Sequence, residues 1–176
     1  MSLYCASSPQ SCNPQSVSWP DRIAIGMASA PAEELSLKTQ YWSAYFAVGA
    51  VLLWLIYRLF GPKLGLKAAG RTLMTNLVII TQTVAWNGLA NESARLLIQR
   101  PRPFVFTDPA RLGADPAHYT SFYSGHTSFA TALTLSAVLI LMGQGAGRSV
   151  LWITGLIAST LIVTTAVCRV LAGRHF

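Results

Sequence analysis

Residues 95–126 read RLLIQRPRPFVFTDPARLGADPAHYTSFYSGH, and the fold turns on what flanks them. Apolar runs long enough to cross a bilayer lie on both sides, at 73–90 and 126–142. Between them stand four arginines, three of them around Pro101 and Pro103, and a Ser-Gly-His that opens the second run. Cations and an imidazole gathered at a span boundary need a physical reason, and an anionic ligand supplies one.

Working outward, two more apolar runs complete the pattern, at 41–60 and 150–171. The helix of the second run has no breaker before Pro101, so it is expected to continue to Gln99. Hydrophobic residues make up 52% of the 176 and charged residues 11%, well below the roughly 25% charged of ordinary soluble domains. The mean hydropathy is +0.44. The expected class is all-α: a polytopic transmembrane helical bundle with about four spans over residues 41–176, preceded by a loosely ordered polar leader over 1–40 that holds four prolines. Tyr41, Trp42 and Tyr45 at one end of the first span, with Trp54 and Tyr57 towards the other, resemble interfacial aromatic belts. Gly155, Ser159, Thr160 and Thr164 in the last span are small or hydroxylated residues suited to close helix packing.

The net charge of +7 and pI near 9.8 would suggest nucleic acid in a soluble domain. Here the cations cluster at span ends, where they set topology or meet headgroups, so no nucleic-acid partner is expected. Arg58, Lys63, Lys67 and Arg71 stand together without an acid, the signature of a cytoplasmic loop. Following the chain from there places Arg95, Arg102, His126, Arg169 and His175 at the opposite, outer face. By raw count that face carries more Lys and Arg, so the orientation assumes that its arginines bind a ligand instead of setting topology. Of the three cysteines, Cys5 and Cys12 could pair or remain thiols, and no spacing suggests a metal site.

Taken singly, the polar residues have ordinary explanations. Asn87, Asn91 and Arg95 follow at four-residue intervals and make one polar stripe, the kind that faces a bundle interior. Arg95 and Arg102 are two helical turns apart and could share a phosphate through their planar forks, or simply meet headgroups. Ser124 is a good helix N-cap, Gly125 allows close backbone approach, and the free amides of a helix start attract an anion. His126 would lie beside that anion, or be merely interfacial. Arg169 and His175 would face apart on one continuous helix, so the helix is expected to end near Gly173 and turn His175 back.

Taken together, Arg95-(six residues)-Arg102-Pro103, Ser124-Gly125-His126 and Arg169-(five residues)-His175 resemble the three signature motifs of the type 2 phosphatidic acid phosphatase superfamily. That superfamily includes membrane lipid phosphatases, glucose-6-phosphatase and the soluble vanadium haloperoxidases. The resemblance covers about residues 73–176. It implies that His175 is a nucleophile forming a phosphohistidine and that His126 protonates the leaving oxygen and then activates water. Arg95, Arg102, Ser124, Gly125 and Arg169 would hold the phosphoryl oxygens. No cofactor or metal is implied. The substrate would be a lipid phosphate or diphosphate such as phosphatidic acid, phosphatidylglycerophosphate or a polyprenyl diphosphate. The setting would be a plasma (inner) membrane with the site on its outer face.

The chain departs from the pattern in four places. Arg95 stands for the usual Lys, Tyr123 for the Pro before Ser-Gly-His, and Cys168 for the Ser before Arg169. The family also places an Asp four residues beyond the nucleophile, past Phe176, and a last spanning helix. The resemblance thus implies a C-terminally incomplete domain with little or no phosphatase activity from these residues alone. Two alternatives remain: a catalytically degenerate relative that binds anionic lipid without turnover, and a haloperoxidase-like vanadate enzyme, disfavoured by the apolar spans.

Overall fold

Ser29 fixes where the first long helix begins. Its hydroxyl oxygen accepts from the Ala32 N–H at 3.3 Å, Pro31 occupies a position where a missing N–H costs nothing, and Glu33 complements the positive first turn. The helix therefore starts at Ala30 instead of near residue 41. The computed structural model describes residues 12–61 and 64–176. Within them lie α1 (Trp19–Arg22), α2 (Ala30–Phe60), α3 (Leu66–Ile98), α4 (Pro109–Leu112), α5 (Gly125–Gly143) and α6 (Arg148–Leu171), with short 3-10 turns between. Cys5, Pro62 and Lys63 lie outside the described residues, and with them the disulfide alternative, the expected stop of the first span and one loop cation.

The chain is all-helical, with no strand among the described residues. Of the four expected spans, α2, α5 and α6 are long and apolar enough to cross a membrane by length and composition. The fourth long helix, α3, has 33 residues and starts seven residues before the expected boundary. Asn76, Gln82, Asn87 and Asn91, together with the charges near its ends, make it the more polar one. It stops as expected: Gln99 adopts a left-handed φ of 46°, its N–H closes on the Arg95 carbonyl at 3.2 Å, and Pro101 follows.

Packing follows a stripe of small side chains. The buried residues of α2 are Ala32, Ser36, Thr39, Ser43, Ala47, Val51 and Leu55, spaced by three or four and so on one face. The stripe runs unbroken through residues 30–40, which is why a stretch that reads as polar leader is helix. The Ser36, Thr39 and Ser43 hydroxyls donate to carbonyls of their own helix at 2.7–3.1 Å, which lets polar residues be buried without loss. Thr165 donates to Thr39 at 2.8 Å and ties α6 to α2. α2 lies against both α5 and α6, these two pack on each other, and α3 packs chiefly on α5.

On α6 the buried residues are Ala158, Thr165, Cys168 and Arg169. Of the expected packing residues Ser159 and Thr160 are exposed while Gly155 and Thr164 are half-buried, so only part of that set faces a neighbouring helix. Large apolar side chains such as Leu53, Ile153, Leu156 and Val163 point outward, as lipid-facing residues do.

Residues 12–29 are not loose either. Cys12 and Val17 are buried with Val105, Phe106 and Tyr119 of the 103–123 loop, and Ile25, Phe104 and Phe176 pack against them. Residues 12–29 thus lie on the end of the bundle where α3 finishes, α5 starts and α6 finishes.

Ala47 is fully buried where α2 meets the core of α5. Ala47→Leu is expected to lower stability by about 1–3 kcal/mol through overpacking. The check is the thermal unfolding midpoint in detergent, with exposed Leu53→Ala as a control that should move it little.

Candidate functional site

Three helix ends meet at the site. The last turn of α3 carries Arg95, the first turn of α5 carries His126, and the last turn of α6 carries Arg169. Ser124 caps α5 by accepting from the Thr127 N–H at 3.4 Å and the Thr127 hydroxyl at 3.1 Å. Asn91, buried on α3, donates to the Tyr123 carbonyl at 3.0 Å and pins the chain just ahead of that cap.

Gly125 leaves room for Arg95. A Cβ there would lie 2.8 Å from Arg95 Nη2 and 3.2 Å from Asn91 Oδ1. The bare backbone lets the Arg95 guanidinium lie against the positive start of α5, an arrangement unfavourable in charge unless an anion joins it. Arg95 pairs with Glu92 at 2.5 Å, and that carboxylate is mostly in solvent. Its Nε is buried without a hydrogen-bond partner among the described residues, and so is the Nε of Arg169, a residue only 5% exposed.

Arg102 lies after the end of α3. Its Nε and Nη2 donate to Thr120 Oγ at 3.2 and 2.8 Å, and its N–H donates to the His118 carbonyl at 2.9 Å. Burial holds it below the ordinary arginine value, as do the nearby charges of Arg174 and Arg95, while Glu33 pulls the other way. It remains a cation at any working pH.

α6 ends as expected. Gly173, with φ of 65°, donates to the Val170 carbonyl at 2.8 Å, and the Arg174 N–H donates to the Arg169 carbonyl at 3.1 Å. These paired bonds form a Schellman turn, and they reverse the chain so that His175 comes back over the helix end. His175 is 3% exposed, and its Nδ1 lies 2.7 Å from the Ser121 carbonyl. A carbonyl only accepts, so Nδ1 carries the proton and Nε2 the lone pair. Burial first, then the charges of Arg169, Arg102 and His126, push the ring down to about 3, against the bond to Ser121, which raises it. At neutral pH it is an uncharged imidazole.

A cavity of about 480 Å³ opens here, lined by Ser124, Arg169 and His175 among the expected residues. Asn87, Thr131, Ala132 and Ala166 extend it down the bundle along α5, between α3 and α6. Arg95, Arg102, Gly125 and His126 do not line it. Arg95 borders Gly125 from behind, Arg102 and His126 are within electrostatic reach of His175, and the seven expected residues form one neighbourhood. A larger cavity of about 740 Å³, lined by Tyr45, Trp54, Val150 and other apolar residues, lies towards the opposite end of α2 and has no part in this chemistry.

Sequence reasoning missed Thr120, Ser121 and Glu33. Ser121 acts through its carbonyl, which every residue possesses, so no side-chain pattern marks it. Glu33 reaches the cluster only because α2 begins earlier than its polarity implied. Among the described residues no group of three His, Cys, Asp or Glu side chains is placed to share a metal ion.

The linkage has a definite sign. In the unfolded chain His175 takes its ordinary value of 6.5, whereas the folded ring holds out to about 3. As pH falls from 6.5 towards 3 the unfolded chain gains a proton that the folded one refuses, so stability declines across that window. The thermal midpoint in detergent should therefore fall on acidification from pH 7 to 4, and less steeply in His175→Asn.

The PAP2 superfamily model matches residues 72–176, more than half of the chain and the part that carries all seven of these residues. That membership supports a phosphatase-type function and, with three apolar helices, a membrane protein. Neither a search of curated proteins nor one of solved structures returned a match.

Proposed function

The chain belongs to the PAP2 superfamily, and on that premise we propose that it hydrolyses a phosphate monoester or diphosphate carried by a membrane lipid, through a phosphohistidine on His175. One observation carries this reading: the His175 ring is neutral and buried, commits Nδ1 to Ser121, and keeps the Nε2 lone pair within reach of the Arg169 charge. That is the state a nitrogen nucleophile needs.

In the first step Nε2 attacks phosphorus as the bond from phosphorus to the leaving oxygen breaks, and the His126 imidazolium gives that oxygen its proton. A phosphate entering among the arginines brings the negative charge that favours this imidazolium. In the second step water attacks phosphorus, His126 takes its proton, and the N–P bonding pair returns to His175 with release of orthophosphate. Arg95, Arg102 and Arg169, with the Ser124 hydroxyl and the Gly125 N–H, hold the phosphoryl oxygens and meet the charge that develops. The arginines supply the positive field, so turnover is proposed to proceed without an added metal ion.

The Ser121 carbonyl sets the tautomer of His175, the task the family gives to a carboxylate. It lacks a full negative charge, so it stabilises the cationic phosphohistidine less.

The shape of the cavity supports a lipid substrate. A headgroup at Ser124, Arg169 and His175 would leave its chain running past Thr131, Ala132 and Ala166 between α3 and α6, open to the bilayer. Arg58, Lys67, Arg71 and Arg148 stand at the other end of the bundle, which favours a site on the outer face of a plasma membrane. Phosphatidic acid, phosphatidylglycerophosphate and polyprenyl diphosphate all carry the required chemistry.

The test is phosphate release from each of these three lipids by the purified protein with a chelator present. Release should persist in the chelator and be lost in His175→Ala and His126→Ala. It should fall by about 10²–10³ in Arg169→Ala. Binding of all three lipids without release would identify a non-catalytic relative instead.

A further inference from the structure

The family match begins at residue 72, yet the tail that carries His175 is held largely from outside it. The Ser29 N–H donates to the Leu171 carbonyl at 3.1 Å, capping the end of α6 with the start of α2. Gly173 lies so close to the preceding segment that a Cβ would come within 2.0 Å of the Met27 carbonyl oxygen. Both neighbours of His175 are then tied down. Arg174 Nη2 meets the two Glu33 oxygens at 2.8 and 3.0 Å. Phe176 lies 4.1 Å beneath the Arg100 guanidinium, and Arg100 is held in turn by Asp21 at 2.8 Å.

The N-terminal segment is itself braced for this task. Ser18 donates to Asp21, and Arg22 donates to the Val17 and Gln15 carbonyls at 2.8 and 2.6 Å. The Ser18 bond, against some opposing burial, and the Arg100 charge hold the Asp21 carboxyl below its usual range, so it stays ionised and keeps its grip. Phe176 closes the cluster from the other side, edge-on to Phe106 at 5.9 Å.

We propose that Asp21 and Glu33 are positioning residues for the phosphate site: they hold Arg174 and, through Arg100, Phe176, and so fix the His175 ring between Ser121 and Arg169. The role rests on the reading of His175 as nucleophile, and it gives the segment ahead of the matched region a part in the reaction. The physical need is plain. The bond from His175 to Ser121 persists only if the residues on either side are kept from moving.

The experiment uses the whole chain in detergent and reads each histidine separately. Asp21→Asn, Glu33→Gln and the double variant are treated with diethyl pyrocarbonate, and modification of His118, His126 and His175 is followed by mass spectrometry. In the unaltered protein His175 should react slowest. In the single variants its rate should rise about three- to fivefold, the scale set by a half-exposed ion pair, and further in the double variant, while His118 keeps its rate. Charge reversal provides a rescue: Glu33→Arg and Arg174→Glu should each deprotect His175, and the two together should restore protection. In phosphate release, kcat should fall in the same order with KM unchanged.

Unchanged His175 labelling in the double variant overturns the proposal, and so does an equal rise at all three histidines or a charge-reversed pair that stays deprotected. If His175 is deprotected as expected but the unaltered protein releases no phosphate, positioning stands and the hydrolytic reading falls. If phosphate release is robust and indifferent to both substitutions, the reverse holds.

Discussion

Guanidinium groups brought to one end of a helical bundle repel one another, and the rest of this structure is arranged to tolerate that repulsion. Arg95, Arg102, Arg169 and Arg174 influence one another or the histidines between them, with Glu33 as the carboxylate that reaches the group. Burial sharpens the conflict, because a lower dielectric strengthens every like-charge contact. Among the described residues, Glu33 and the mostly solvated Glu92 against four cations leave an excess positive charge, and Nε donors on Arg95 and Arg169 remain inside it without a partner there. Such an arrangement is costly as pure scaffold and favourable as a receptor for a multiply charged oxyanion.

The same constraint explains details that look unrelated. Gly125 removes the side chain that would push Arg95 away from the start of α5. Thr120 gives Arg102 a neutral acceptor, which orients its fork without cancelling its charge. Burial first, and then the neighbouring cations, make a protonated His175 unfavourable, so the charges that would attract a phosphate also favour the neutral ring beside it. Burial and surplus cations together leave the ring a free lone pair.

Much of this was legible in the sequence because helix ends announce themselves. The Ser124-Gly125 cap, the stop before Pro101 and the Gly173 terminator are local chemistry, and the Arg and His positions hang from them. The lower part of the fold was harder. Residues 30–40 read as leader because Glu33, Glu34 and Lys38 dominate their polarity, while the buried stripe of Ala32, Ser36 and Thr39 carries no hydrophobic signal. The packing face of α6 was only partly legible for the same reason, since small and hydroxylated residues occur on more than one of its sides. Glu33 and Arg174 are 141 positions apart, and a single acid so distant cannot be matched to its cation without the folded backbone. Ser121 contributes a carbonyl, which no residue type encodes.

The Schellman turn at Gly173 has a mechanical consequence. Because the Arg174 N–H is bonded to the Arg169 carbonyl, the reversed tail is part of the helix terminus and not a separate loop. The turn therefore fixes where the chain leaves α6, while Ser121 and the contacts of Arg174 and Phe176 fix where His175 comes to rest. A slide or rotation of α6 would carry Arg169 and the turn past Ser124 and Arg95, which belong to α5 and α3. It would at the same time load the bonds to Glu33 and Ser121 that hold the ring, so the tail couples the position of α6 to that of α2.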